Sequence, residues 1–407
     1  MSEKLLDAIG EISETLVAEA APGTERSNIR RFPGWIKWAA AAACFGLILA
    51  VGSHTSSTSP DLPLLTIGED PISGMGFEGY MAYDVSELVN ANPWSEKAKL
   101  KTLPVYENPC EYSMETMMVS NADIDLLKEN LLEIASRLGL SPDLPILTDN
   151  DLLSETQKEK MQEKVDRMEA QGYTFPEGYF DPSFYFVEAD GIRVEMDLSM
   201  SAMIRFEPAI ALPEEFHFTH YASYDEKYAA AQYLLEKYET LINMEDPVIN
   251  ISGGDYNIYA EQSHAVSFYD GTGDLQEQIY HYNFEQASFS CDDEGKLFIA
   301  RPVVEKELPV VGEYPLITAK EAKELLLEGK YITTCPDPIA GEEYVKDVEL
   351  IYRTGRLEYY IPYYRFYVEM PQWKTENGLN TYGAYYVPAI EQQYIADMPQ
   401  WDGSFNS

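Results

Sequence analysis

Residues 38–52 read WAAAAACFGLILAVG, an uncharged apolar run that decides how the rest of the chain is placed. At helical rise it spans roughly 22 Å, short of the ~30 Å hydrocarbon core of a bilayer. Trp35 and Ile36 extend it, and Trp35, Lys37 and Trp38 suit the headgroup boundary. Its flanks differ in charge. Arg26, Arg30, Arg31 and Lys37 precede it, whereas Asp61, Glu69, Asp70, Glu78, Asp84 and Glu87 follow before the next base, Lys97. The positive-inside rule then predicts one transmembrane helix over 35–53, residues 1–34 cytoplasmic, and the remainder extracellular. A cleaved export signal is the competing reading, with Ala50-Val51-Gly52 as its small-residue site. The patterned segment 2–21 upstream favours the retained anchor.

Upstream, residues 2–21 read SEKLLDAIGEISETLVAEAA. Leu5, Leu6, Ile9, Ile12, Leu16 and Val17 fall on one stripe at helical spacing, with Glu3, Asp7, Glu11, Glu14 and Glu19 elsewhere. A lone helix of this length is marginal without a surface to cover its stripe. Its acidic face suits an anionic leaflet poorly, so the stripe is expected to dock on a cytoplasmic protein.

The run 3–23, EKLLDAIGEISETLVAEAAPG, then basic residues, then Trp35-Ile36-Lys37-Trp38 and the Ala-rich span resemble the N-terminal region of single-pass envelope proteins of Firmicutes. Some of these are similar to anti-sigma factors. The resemblance implies an envelope regulator whose inner partner is sigma-factor-like. The chain lacks the His/Cys zinc motif that many anti-sigma domains carry.

Downstream, residues 53–63, SHTSSTSPDLP, read as a stalk, and 54–120 as stalk and lead-in, with strands near 103–106 and 114–119. A helical face over Ile124, Leu127, Leu131, Ile134, Ala135 and Leu138 stops at Gly139. Ser154 with Gln157, Ser223 with Glu226, and Thr318 with Glu321 are capping boxes that open three more helices, the second running to about 243 and the third stopping at Gly329. Strand patterns follow at 184–188, 192–198 and 202–207, with Asp190-Gly191 as a hairpin turn. They continue at 248–251, 256–260, 265–269, 278–290 and 296–303, then at 344–353, 357–369 and 384–390. Helix starts near 121, 223 and 318 give a recurrence of about a hundred residues. The predicted fold class is α+β: one transmembrane helix, then two or three extracytoplasmic helix-plus-antiparallel-sheet modules, bounded at 121–215, 216–312 and 313–407. Residues 317–332, ITAKEAKELLLEGKYI, with 348–353, VELIYR, 359–370, YYIPYYRFYVEM, and 385–390, YYVPAI, resemble PepSY-like modules. That resemblance implies a helix on a sheet that binds or inhibits other proteins.

Composition narrows function. The chain has 407 residues, with 69 acids against 29 bases and a formal charge of −40. Nucleic-acid binding is excluded as a leading reading, because phosphate contacts need a basic surface. His217 and His220, three apart in an extended stretch, face opposite ways and lack a third ligand. Asp149, Asp151, Asp270, Asp274, Asp292 and Asp293 fit turn and cap chemistry better than a calcium loop. No nucleophile, zinc-protease or phosphate-loop motif is present, so no catalytic residue, metal or cofactor is expected. Cys110, Cys291 and Cys335 allow one disulfide or remain thiols. There are 30 tyrosines. Tyr359, Tyr360, Tyr363, Tyr364 and Tyr367 crowd one strand region and are the candidate ligand surface, for an extracellular protein or a glycan. The leading expectation is a membrane-anchored binding or regulatory protein, not an enzyme. A surface adhesin or glycan binder is the alternative, and an envelope hydrolase comes third.

Overall fold

The computed structural model describes residues 62–67, 80–83 and 89–398, apart from 177, 258, 260, 336 and 375–377. Short strands β1 (Leu65–Thr66) and β2 (Tyr80–Tyr83) precede β3 (Thr102–Glu107). Helix α1 (Ile124–Arg137) follows, capped by the Asp123 carboxylate, which accepts from the Asp125 and Leu126 amides. It buries Leu127, Leu131, Ile134 and Ala135, most of the predicted stripe. Gly139, at φ 77°, takes the left-handed conformation that ends it. Strand β4 (Leu147–Thr148) leads to α2 (Glu155–Ala170), opened by the Ser154–Gln157 box. Strands β5 (Phe184–Ala189), β6 (Ile192–Asp197) and β7 (Ala202–Ile210) form a meander. Asp190 and Gly191, both at positive φ, make the tight turn between the first two.

The Ser223–Glu226 box opens α3 (Tyr224–Lys237). The helix does not run on to 243: it breaks at Tyr238, and α4 (Glu239–Ile242) ends on left-handed Asn243. Strands β8 (Pro247–Tyr256) and β9 (Gln262–Asp270) follow. Residues 278–290, read as strand, are mainly helical. Helix α5 (Leu275–Phe284) carries a capping box of Asp274 and Glu277, and only β10 (Ala287–Cys291) is extended. Then come β11 (Leu297–Arg301), β12 (Val310–Pro315), and α6 (Ala319–Leu327) with its Thr318–Glu321 box. Strands β13 (Ile332–Thr333), β14 (Val345–Tyr352), β15 (Tyr359–Tyr360), β16 (Pro362–Glu369), β17 (Asn380–Pro388) and β18 (Ile395–Asp397) complete the described chain. Residues 114–119 are turns, not a strand, with one isolated bridge from Tyr112 to Val119.

One sheet dominates. Its strand order is β14-β16-β17-β2-β8-β9-β10-β11-β7-β6-β5-β4, with β13 beside β17. Strand β2 joins its two halves, pairing Thr381 with Ala82 on one side and Ala82 with Tyr256 on the other. A smaller sheet, β12-β3-β15, and a parallel pair, β1 with β18, lie apart from it. Helices α1 and α3 share one core with β6, β9 and β10, in which Leu131, Val194, Ala231, Leu234, Phe268 and Phe289 meet.

The expected fold class is therefore corrected. The described residues form a mixed α/β structure around a continuous antiparallel sheet, with no series of independent modules following a membrane helix. Among them no helix is long and apolar enough to cross a membrane. Residues 35–53, read as the transmembrane helix, lie outside the described residues, as does the stripe of Leu5, Leu6, Ile9, Ile12, Leu16 and Val17.

Candidate functional site

The tyrosine cluster does not form an open surface. Tyr360, Tyr363, Tyr364 and Tyr367 are each at most 9% exposed, and Tyr359 is half-buried. The reason is coverage on both faces of β16 and β17. On one side Tyr364, Phe366, Val368 and Tyr385 pack with Ala322 and Leu326 of α6. On the other, Ile361, Tyr363 and Tyr386 pack with Leu65, Val105 and Tyr314. Hydroxyls reach acceptors at the edges: Tyr364 donates to the Ile317 carbonyl at 2.8 Å and Tyr367 to Glu349 at 3.2 Å. Tyrosine serves here as a large core residue with a polar tip.

Tyr360 reaches a cavity. Five stretches distant in sequence enclose a space of about 250 Å³: 108–112, 199–201, 280–285, 304–308 and 354–360. That is about eight water volumes at ~30 Å³ each. Asn108, just beyond β3, fastens one wall to another. Its amide donates to the Gly355 and Leu357 carbonyls at 3.0 and 2.9 Å, and its oxygen accepts from the Cys110 amide at 3.0 Å. Tyr280 and Phe284, one turn apart on α5, present their rings together at 5.2 Å, and both meet Tyr106 at 5.4 Å. The Tyr280 hydroxyl donates to the Lys306 carbonyl at 3.1 Å, and Tyr360 donates to Gly355 at 3.1 Å.

Both signs of charge line this space. Burial lowers the pKa of the Lys306 amine, against the pull of Cys110 and Asp197. Burial pushes the Cys110 thiol up, opposed by Lys306 and a hydrogen bond with Tyr112. A thiol held above its ordinary range is protonated at neutral pH and is a poor nucleophile. Burial likewise raises Tyr112 and Tyr280 to about 12.

Burial also pushes the Glu285 carboxyl up, opposed by His281, while Glu305 and Asp270 add to the rise. The His281 ring stands 3.7 Å from that carboxylate. A carboxyl with a raised folded-state pKa holds its proton more tightly when folded. Its contribution to stability therefore falls as pH rises through the ordinary Glu range, near about 4.3, to the raised value. Glu285→Gln is expected to be more stable than the parent near about pH 8, with a gain that shrinks towards about pH 5. Urea unfolding at the two pH values reads this. A loss of stability at the higher pH would show instead that the ionised carboxylate is held favourably by His281.

The other sequence candidates sort simply. His220 lines a second cavity, and the Glu226 carboxylate is held down chiefly by hydrogen bonds from Ser223, with His217 a minor neighbour. Among the described residues no group of three or more His, Cys, Asp or Glu is placed to hold a metal. The aspartates do turn and cap work. Asp270 accepts from the Glu245, Asp246 and Thr272 amides, Asp292 from those of Glu294 and Lys296, and Asp274 caps α5. No disulfide joins Cys110, Cys291 and Cys335. Sequence reasoning missed Lys306, Glu285 and Asn108 because nothing in their spacing brings them together; the fold alone does.

Comparison with known proteins places little beside this chain. No family model matches, and no curated protein matches. Among solved structures, the C-terminal domain of Bacillus megaterium YpeB is similar at 12% identity and a TM-score of 0.26, covering 71% of this chain and 96% of that one. An uncharacterized protein from Eubacterium rectale is similar at 12% identity and a TM-score of 0.25, covering 70% and 82%. At these TM-scores neither likeness carries an assignment of fold or function.

Proposed function

We propose that this protein is an extracytoplasmic binding protein of the regulatory kind, and that the cavity beside Cys110 and Lys306 takes a small polar solute. The observation supporting this is that five remote stretches share the cavity's walls, so an occupant would tie them together. Aromatic walls, an amine, a carboxyl and carboxamides within a small space suit a solute with both a C–H face and hydrogen-bonding groups. The raised thiol and the half-buried Lys306 argue for holding a ligand, not for attacking one. Docking of the Leu5–Val17 stripe on a sigma-factor-like protein, and the PepSY-like reading of 313–407, belong to the same proposal as its output side.

The test uses the full chain with the twenty amino acids and a set of monosaccharides, followed by thermal shift and then calorimetry. One of them is expected to bind, and Lys306→Met is expected to weaken it by about tenfold or more, the size of a single charge-assisted contact. Absence of binding across the panel, or affinity unchanged in Lys306→Met, overturns the reading.

A further inference from the structure

A second cavity, of about 440 Å³, lies where the start of α3 meets β8, β9 and β10. Its walls are unlike the rest of the molecule. In a chain with 69 acids, its lining holds none: the residues around it are His220, Lys227, His264, four serines, Cys291, a glycine and a few apolar residues. Asp292 and Asp293 stand just beyond Cys291, outside the lining.

Lys227 is the unusual member. It is 3% exposed and sits on the face of α3 turned to the sheet. Its ammonium donates to the Phe218 carbonyl at 3.4 Å and rests over the Phe218 ring, 4.6 Å from the centroid. Among the described residues no carboxylate forms an ion pair with it. An ammonium has three donors, and one long bond to a carbonyl does not offset the cost of burying its charge. Burial accordingly lowers its pKa, partly opposed by the neighbouring Cys291.

An anion would supply what the protein withholds. Val266 and Phe289, at 1% and 3% exposure, share the sheet face that meets α3 and give the Lys227 side of the cavity an apolar wall, whereas Ser252, Ser288 and Ser290 alternate to the opposite face of the sheet. One ammonium with no arginine suits a singly charged carboxylate better than a phosphate, which is usually met by several cations or a row of amides. We propose that this cavity binds a small carboxylate carrying a short apolar tail, with Lys227 as its counter-charge. The site is separate from the cavity at Cys110 and stands or falls independently of it.

Calorimetry on the full chain with butyrate and benzoate, and with inorganic phosphate and sulfate as comparison anions, tests the assignment. A carboxylate is expected to bind, and Lys227→Met to weaken it by roughly 30-fold or more, as loss of a desolvated charged hydrogen bond requires. The variant keeps the length of the side chain and removes a buried charge, so it is expected to fold. A second measurement leaves the sequence unchanged. Lysines are reductively methylated with ¹³C, and the Lys227 resonance, assigned by its absence in Lys227→Met, is expected to shift when butyrate is added. Binding retained in the variant, binding of phosphate and sulfate alone, or a stationary Lys227 resonance overturns the proposal.

Discussion

Phe268→Ala is expected to lower the unfolding free energy by about 3–5 kcal/mol, the range for deleting a fully buried aromatic side chain. Phe268 is 0% exposed and lies on β9, at the middle of the long sheet. Its ring meets Phe289 edge-on, with centroids 5.7 Å apart and planes at 87°. Leu131 of α1 and Ala231 and Leu234 of α3 belong to the same cluster. Two helices from different thirds of the chain thus depend on one ring. Phe268→Leu keeps most of the volume and is expected to cost under about 1.5 kcal/mol. Tyr259→Ala, at a residue 77% exposed, is expected to change stability by less than about 0.5 kcal/mol. Urea unfolding followed by circular dichroism reads all three. A loss below about 1 kcal/mol for Phe268→Ala would mean that the two helices do not share a core.

Gly253→Ala is expected to cost about as much, 3–5 kcal/mol, through the backbone and not through lost packing. Gly253 has φ 137°, a conformation that side chains rarely adopt. A Cβ there would run into the Ser263 carbonyl oxygen and lie 3.1 Å from the His264 Cα. The backbone cannot retreat, because Gly253 is paired with His264 on one side and exchanges two hydrogen bonds of 3.2 Å with Val89 on the other. Gly139→Ala separates the two causes. Gly139 also has positive φ, 77°, but a Cβ there meets nothing within 4 Å, so the expected cost is about 1 kcal/mol. Equal losses at the two positions in urea unfolding would show that conformation alone, and not the crowding at Ser263, sets the price.

Much of the local structure was legible from the sequence because short-range chemistry specifies it. Ser154, Ser223 and Thr318, each with its partner three residues on, mark helix starts that the structure realises as reciprocal caps. Asp190-Gly191 marks its turn for the same reason. Helix α5 was hidden by its aromatic residues, Tyr280, Tyr282 and Phe284, which favour strands when read singly; the Asp274–Glu277 box was the signal available. Long-range pairing left no such mark. Nothing near Thr381 or Tyr256 indicates that both pair with Ala82. The tyrosines at 359–367 were recognisable as unusual, but alternation along a strand cannot tell an open second face from one covered by another sheet. The cavities were not legible at all, since each is closed by side chains from loops and strands far apart along the chain.

The four residues of β2 carry a consequence for how the molecule gives way. Each flank of the great sheet has its own apolar interior, but the ladder between them passes through this one brief segment, contributed from far upstream. Fraying there would open the ladder while other contacts still tie the flanks: Asn92 donates to the Leu350 carbonyl at 3.1 Å, its neighbour Ala91 donates to Asn250 at 2.8 Å, and Asn283 of α5 accepts from the Tyr352 amide at 2.9 Å. The seam is thus a graft: four residues from early in the chain complete a ladder whose neighbours on either side come from much later in it.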